Sequence, residues 1–254
     1  MEYSGLYYIS NPSAQLPSSE AISSTLITRL EATFPHATRD ESANWTLWHR
    51  LLRDIPPRAP SSTSTAEPYA HSYQHLMRLS YLNASRAYNY VQPASGADVT
   101  TSIPAEEFES HYNLLLNQWS QLWSPQRALD VVNGSTYTLG GAVTIHIGEV
   151  RSRRSGPQQG GVLSPGVVVC ITTTASSSSE SSDHAHVMDL GEGIGFEDVQ
   201  ERVTHVWKEM RKGADLGKGE VKEVLQLTKD VGGENETERE AVVRMWCEAL
   251  KLRG

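Results

Sequence analysis

The sequence predicts an α+β fold with a largely antiparallel, barrel-like β-sheet, flanking helices and a helical C-terminus. Three observations lead there. Short segments that alternate apolar and polar residues recur with turn-length spacers, as successive hairpins require. Other segments repeat their apolar residues every three or four positions, as amphipathic helices do. The elements run strand, helix, several strands, helix, strands, helices, an order that gives a meander rather than alternating βα units.

At 254 residues the chain can bury a core without a disulfide or metal staple. Its 22 Lys+Arg against 30 Asp+Glu leave a net charge of −8. No overall field then draws it to phosphate backbones or anionic lipid, so direct nucleic-acid and membrane binding are not expected. No apolar run approaches the roughly 20 residues that span a bilayer. The first residues lack the cationic and apolar regions of a signal peptide. The expectation is a soluble intracellular chain in which Cys170 and Cys247 are reduced core residues.

Gly5 to Ile9 is aromatic and β-branched and reads as a buried strand closed by Asn11-Pro12. Ser18 or Ser19 can cap a helix to Phe34, with Ile22, Leu26, Ile27 and Leu30 on one stripe, and Pro35 ends it. From Asn44 to Arg53, Trp45, Leu47, His49 and Leu51 alternate with Thr46, Trp48 and Arg50, which favours a strand. Residues 55–70, rich in Pro, Ser and Thr, read as a disordered loop. His75 to Leu82 and Arg86 to Val91 form a hairpin about Asn83-Ala84-Ser85. Pro104, Glu106 and Glu107 signal a helix start. Phe108, Tyr112, Leu115, Trp119 and Leu122 give that helix a buried stripe running to about Trp123.

After Pro125 come a strand from Arg127 to Val132, a hairpin turn at Asn133-Gly134, and strands at Ser135 to Leu139 and Ala142 to Arg153. Val162 to Thr173 is the most apolar strand and is expected inside its sheet. Residues 1–173 thus form the barrel-like core, and 174–186 a low-complexity Ser-rich insertion. In residues 187–254, Phe196, Val199, Val203, Val206, Trp207 and Met210 mark one helix. Val242, Met245, Trp246, Ala249 and Leu250 mark a second, and residues 220–230 suggest a short helix between them.

No catalytic, cofactor-binding or metal-binding set is expected. The sequence has no Gly-x-Ser-x-Gly, His-Glu-x-x-His or Cys-x-x-Cys motif. Gly191-Glu192-Gly193-Ile194-Gly195 matches neither phosphate-loop spacing, and Glu192 would repel an anion. Asp183, His184, His186 and Asp189 sit in a serine-rich tract without a rigid shell. His49, His75 and His146 read as structural histidines on strands, and Cys170 as an inert buried thiol. Arg151 to Arg154, with three arginines, reads as a solvated hairpin tip. Tyr8, Tyr88 and Tyr90, on short strands that could lie at an edge, are the candidate partner-binding residues.

Several runs resemble fungal Mediator subunit 20. They are Gly5-Leu6-Tyr7-Tyr8-Ile9, Trp45 through Asp54, Val132-Asn133-Gly134-Ser135-Thr136-Tyr137, and Val143 through Arg151. The resemblance covers most of residues 1–173. It implies a non-enzymatic nuclear subunit of the Mediator head module that regulates RNA polymerase II transcription. It also implies pairing with subunit 18, a tether through the C-terminal segment of subunit 8, and indirect contact with the initiation machinery. The alternatives are a metal-dependent phosphohydrolase, for which the strands offer only Glu149, and a small-molecule-binding β-barrel.

Overall fold

The segments richest in apolar residues became the strands that are covered on both faces. The computed structural model describes residues 2–56, 69–153, 162–174, 196–228 and 235–251. In chain order these form β1 (Glu2–Ser10), α1 (Leu16–Thr33), β2 (Ala37–Asp54), β3 (Tyr73–Leu79), β4 (Arg86–Gln92), β5 (Val99–Pro104) and α2 (Phe108–Asn117). Then follow β6 (Trp123–Leu139), β7 (Val143–Arg153), β8 (Val162–Thr174), α3 (Phe196–Arg211), β9 (Val221–Thr228) and α4 (Asn235–Leu250). The nine strands of the described residues join one sheet in the order β5-β4-β3-β2-β6-β7-β8-β1-β9. Every pairing is antiparallel. The sheet is open rather than closed into a barrel: among the described residues β5 pairs only with β4, and β9 only with β1.

Strand alternation sorts the side chains onto two faces. From β1 and β8, Tyr7, Ile9, Val167, Val169 and Ile171 meet α1 and α3 on the outer face. Leu6, Tyr8, Val168 and Cys170 meet α4 on the inner one. Burial on both sides explains the near-continuous apolar runs of these two strands. On β2 only one face is apolar core, so Trp45, Leu47 and Leu51 alternate with more exposed residues. Trp48 lies on the other face, in a small cluster where Phe108 of α2 packs on Leu76 and Ala87.

Helix α4 contacts β9 and β1 at one side of the sheet and β4 near the other. At about 4.8 Å per strand, β4 and β9 would stand some 33 Å apart in a flat sheet, three times a helix diameter. The sheet must therefore curl around α4. Val242, Val243, Met245, Trp246, Cys247, Ala249 and Leu250 are all buried, more than one stripe can supply. A helix clasped on several sides needs this wider apolar surface.

Several expectations change. Within the stretch expected as a short helix, Val221–Thr228 is strand β9, because β1 has a second hydrogen-bonding edge and these residues fill it in register. Residues 99–104 form strand β5 along β4. Helix α2 ends at Asn117, short of Trp123, and Trp119 and Leu122 are exposed. Helix α1 starts at Leu16 with Pro17 in its first turn, and Ser19 is an interior hydrogen-bonding residue rather than a cap. The region 187–254 does more than pack on the core: β9 extends the sheet and α4 fills its concave face. The loop about 55–70 is described only at its ends, and the Ser-rich insertion 174–186 lies outside the described residues beyond Thr174.

Asn133-Gly134 is not a hairpin either. It stays inside β6, where the pairing with β7 shifts register between Asp130 and Ser135. The turn comes later, at Gly140-Gly141, with φ of +56° and +72°. Such a pair of positive φ angles suits a tight hairpin and disfavours side chains. Gly134 has a steric task instead, because a Cβ there would lie 2.2 Å from the Trp45 ring. Gly148 on β7 is similar, with a Cβ 2.7 Å from Trp45 Cζ2. Two glycines on neighbouring strands thus seat one indole.

Gly134→Ala should destabilise the chain by about 1–3 kcal/mol through overpacking against Trp45. Urea unfolding measures it, and a Trp45→Phe background should recover part of the loss because the smaller ring vacates the clash.

Candidate functional site

The inner face of the curl carries a group of buried polar side chains. Trp45, from β2, donates its indole N–H to the Ser135 carbonyl at 3.2 Å. Tyr81, in the turn after β3, stacks on His146 of β7 with ring centres 3.9 Å apart. Trp246 of α4 donates to the Tyr81 hydroxyl at 2.8 Å, which in turn points at Cys170 Sγ, 3.6 Å away. Burial pushes the Cys170 thiol up to about 11, so it is not a thiolate near neutrality. A cavity of about 390 Å³ opens beside this group, lined by Glu2, Ser4, Tyr81, Cys170, Thr172 and Arg239 among others.

Deeper along α4 lie His49, His75 and Cys247, with 0, 1 and 0 % exposure. His49 Nε2 and His75 Nδ1 are 3.0 Å apart. The remaining ring nitrogens, His49 Nδ1 and His75 Nε2, are buried without a hydrogen-bond partner among the described residues. Each such orphan costs about 1–3 kcal/mol. Burial, then His75, Arg50 and Arg127, hold the His49 pKa well below its ordinary value. Burial and Lys251 lower that of His75 to about 3. His146, with Nδ1 3.1 Å from Thr136 Oγ1, is lowered to about 4 by burial. The sequence places all three histidines on strands but does not bring His49, His75 and Cys247 together. The two histidines are 26 residues apart, and the cysteine comes from the last helix. The available signal was that His49 falls at an inward-facing position of an otherwise apolar strand face.

Tyr8, Tyr88 and Tyr90, expected to be exposed, are 2, 3 and 6 % exposed. They lie on the inner face of β1 and β4, in the cluster that α4 covers, and both strands are interior to the sheet rather than at its edge. Tyr8 donates to the Pro165 carbonyl at 2.8 Å, and Tyr90 to Asp98 Oδ2 at 2.6 Å. In the basic cluster, Arg151 pairs with Glu149 at 3.0 Å. Arg154 lies outside the described residues, as do Asp183, His184, His186, Asp189 and Gly191 to Gly195.

Exposed apolar side chains gather elsewhere, where β2 ends and β6 begins. Ile55, Tyr69, Trp119 and Leu122 are 41, 47, 44 and 59 % exposed. Backbone bonds hold them together: Ile55 N–H donates to Leu122 O, and Leu122 N–H to Trp119 O, both at 2.9 Å. Asp54 fixes the rest, accepting from the Tyr69 hydroxyl and from His71 Nδ1, each at 2.8 Å. Burial raises the Asp54 pKa, but the bonds from His71, Tyr69 and Ser72 outweigh it and leave the carboxyl below its ordinary range. Sequence periodicity had placed Trp119 and Leu122 on a buried helical stripe. The early end of α2 puts them on the surface.

A comparison with known protein families finds no match, and a comparison with curated proteins finds none either. Among solved structures, the chain is similar to the PH1012 protein from Pyrococcus horikoshii OT3. The TM-score is 0.38 and the identity 10 %, over 83 % of this chain and 90 % of that one. Among the described residues, no helix is long and apolar enough to cross a membrane.

The buried histidines set an acid limit on stability. Each is neutral when folded and takes a proton near 6.5 when unfolded, so below pH 6.5 the unfolded chain binds more protons. Stability should fall from there down to about pH 4 for His146 and about pH 3 for His75. By pH 5 the loss should be on the order of 1–2 kcal/mol for each. Urea unfolding at pH 7 and pH 5 checks it, and His146→Asn should flatten the slope relative to the parent chain.

Proposed function

We propose that this chain is a non-enzymatic head-module subunit of the nuclear Mediator coactivator, acting through protein contacts in RNA polymerase II transcription. The sequence resemblance to subunit 20 supplies the family. The observation that carries the reading is the exposed group of Ile55, Tyr69, Trp119 and Leu122. Large apolar side chains clustered on a surface mark association sites, and tryptophan and tyrosine are the usual anchors. The inner face of the sheet is occupied by the chain's own α4, which leaves the outer surfaces and the two sheet edges for partners. Subunit 18 is the partner proposed for the Trp119 surface, with the C-terminal segment of subunit 8 as the tether and the initiation machinery reached indirectly. Tyr8, Tyr88 and Tyr90 then support the fold beneath rather than touching a partner.

The cavity bounded by Glu2, Ser4, Thr172 and Arg239 favours one second reading, a small polar ligand held at the mouth of the curl.

Co-expression with subunit 18 and a binding titration test the proposal. Replacing Trp119 and Leu122 together by Ala should weaken the pair by about 30-fold or more, the scale of a hot spot of about 2 kcal/mol. Because both side chains are solvent-exposed, stability should stay within about 0.5 kcal/mol of the parent. Undiminished binding of a folded double variant would remove this surface from the proposal.

A further inference from the structure

The buried trio under α4 has the composition of a metal site. One ring nitrogen from each of His49 and His75 and the Cys247 sulfur lie within 4.8 Å of one another. They come from three separate elements, β2, β3 and α4. A trigonal site of two nitrogens and one sulfur needs donors about 3.5 Å apart, so shifts of roughly 1 Å or less would form it. The proton count also leaves the pair of rings incomplete. Two neutral imidazoles hold two N–H groups and two bare nitrogens. Their mutual bond uses one of each, and the others, on His49 Nδ1 and His75 Nε2, have no partner among the described residues.

We propose that His49, His75 and Cys247 bind one soft monovalent cation, Cu(I), between the inner face of the sheet and α4. The donor set, one thiolate and two imidazoles, suits a soft ion of low coordination number. Charge decides between copper and zinc. Cys247 thiolate with Cu(I) is neutral overall, whereas the same ligands with Zn²⁺ carry a net +1. That charge would sit in an apolar core with Arg50, Arg127 and Lys251 already acting on the two rings. Zinc would also lack, among the described residues, the fourth protein ligand of a structural site. On binding, the Cys247 S–H proton leaves to solvent, one Cu–S and two Cu–N bonds form, and no electron is transferred. The hydrogen bond between the two rings is given up, and each histidine keeps its single proton on the nitrogen turned away from the ion. The three residues are inaccessible, so the ion enters while α4 is displaced, and once bound it ties α4 to β2 and β3.

The test uses the full chain, refolded anaerobically from urea with Cu(I) buffered by bicinchoninate, then desalted. The parent should retain one Cu(I) per chain, release one proton per ion, and show one sulfur and two nitrogen neighbours by X-ray absorption. Cys247→Ser and His75→Asn, checked for folding by circular dichroism, should retain none. Cys170→Ser should retain the full equivalent. A folded parent that keeps no Cu(I), a folded Cys247→Ser that keeps it, or preferential loading of Zn²⁺ from an equimolar mixture would each overturn the proposal.

Discussion

One helix reaching from β9 to β4 is the constraint on which the architecture turns. It fixes the curvature of the sheet, because strands so far apart in order can touch the same helix only if the surface bends around it. It also fixes the composition of the inner face. Residues there must fill a concave space, and the space is filled by wide aromatic groups: Trp45, Tyr81, His146 and Trp246 meet with ring centres 3.9 to 6.4 Å apart. The indole of Trp45 fits only because Gly134 and Gly148 offer bare backbone beneath it. The curl needs no ring closure, since α4 supplies the contacts that a closed barrel takes from its opposite wall.

The sheet and the outer helices were largely legible in the sequence. Trp45, Leu47 and Leu51 announced the period of β2, and Ile22, Leu26 and Leu30 that of α1, because each element buries one face and keeps the other wetter. Reading failed where long-range partners decide. Val221–Thr228 has a weak local pattern, and it is a strand because β1 presents an open edge. Asn133-Gly134 carries a strong hairpin signal, and the ring of Trp45, distant in sequence, overrides it. Helix α4 looked like an ordinary amphipath, but Val243, off the predicted stripe, is buried too, since sheet surrounds the helix on several sides.

Sites were less legible than elements. An exposed tyrosine and a buried one look alike in sequence, and Tyr8, Tyr88 and Tyr90 are buried because α4 covers the face they share. Trp119 and Leu122 turned outward because their helix stops at Asn117, six residues short of Trp123. The meeting of His49 and His75 depends on the register of β2 against β3, in which His49 faces Met77 and His75 faces Leu51. A shift of one residue would send one ring to the opposite face.

The position of β1 has a kinetic consequence. It is synthesised before the other eight strands of the sheet, and both of its partners are made late: Tyr7 pairs with Val169 and with Glu223. At roughly 5–20 residues per second of synthesis, β1 waits about 8–32 s for its first neighbour, β8. Throughout that interval Leu6, Tyr7, Tyr8 and Ile9 form an apolar strand with two unsatisfied edges, a natural substrate for holdase chaperones. Strands β2 to β5 and β6 to β8 pair with neighbours close in sequence, whereas completion of the core waits for β9 and α4.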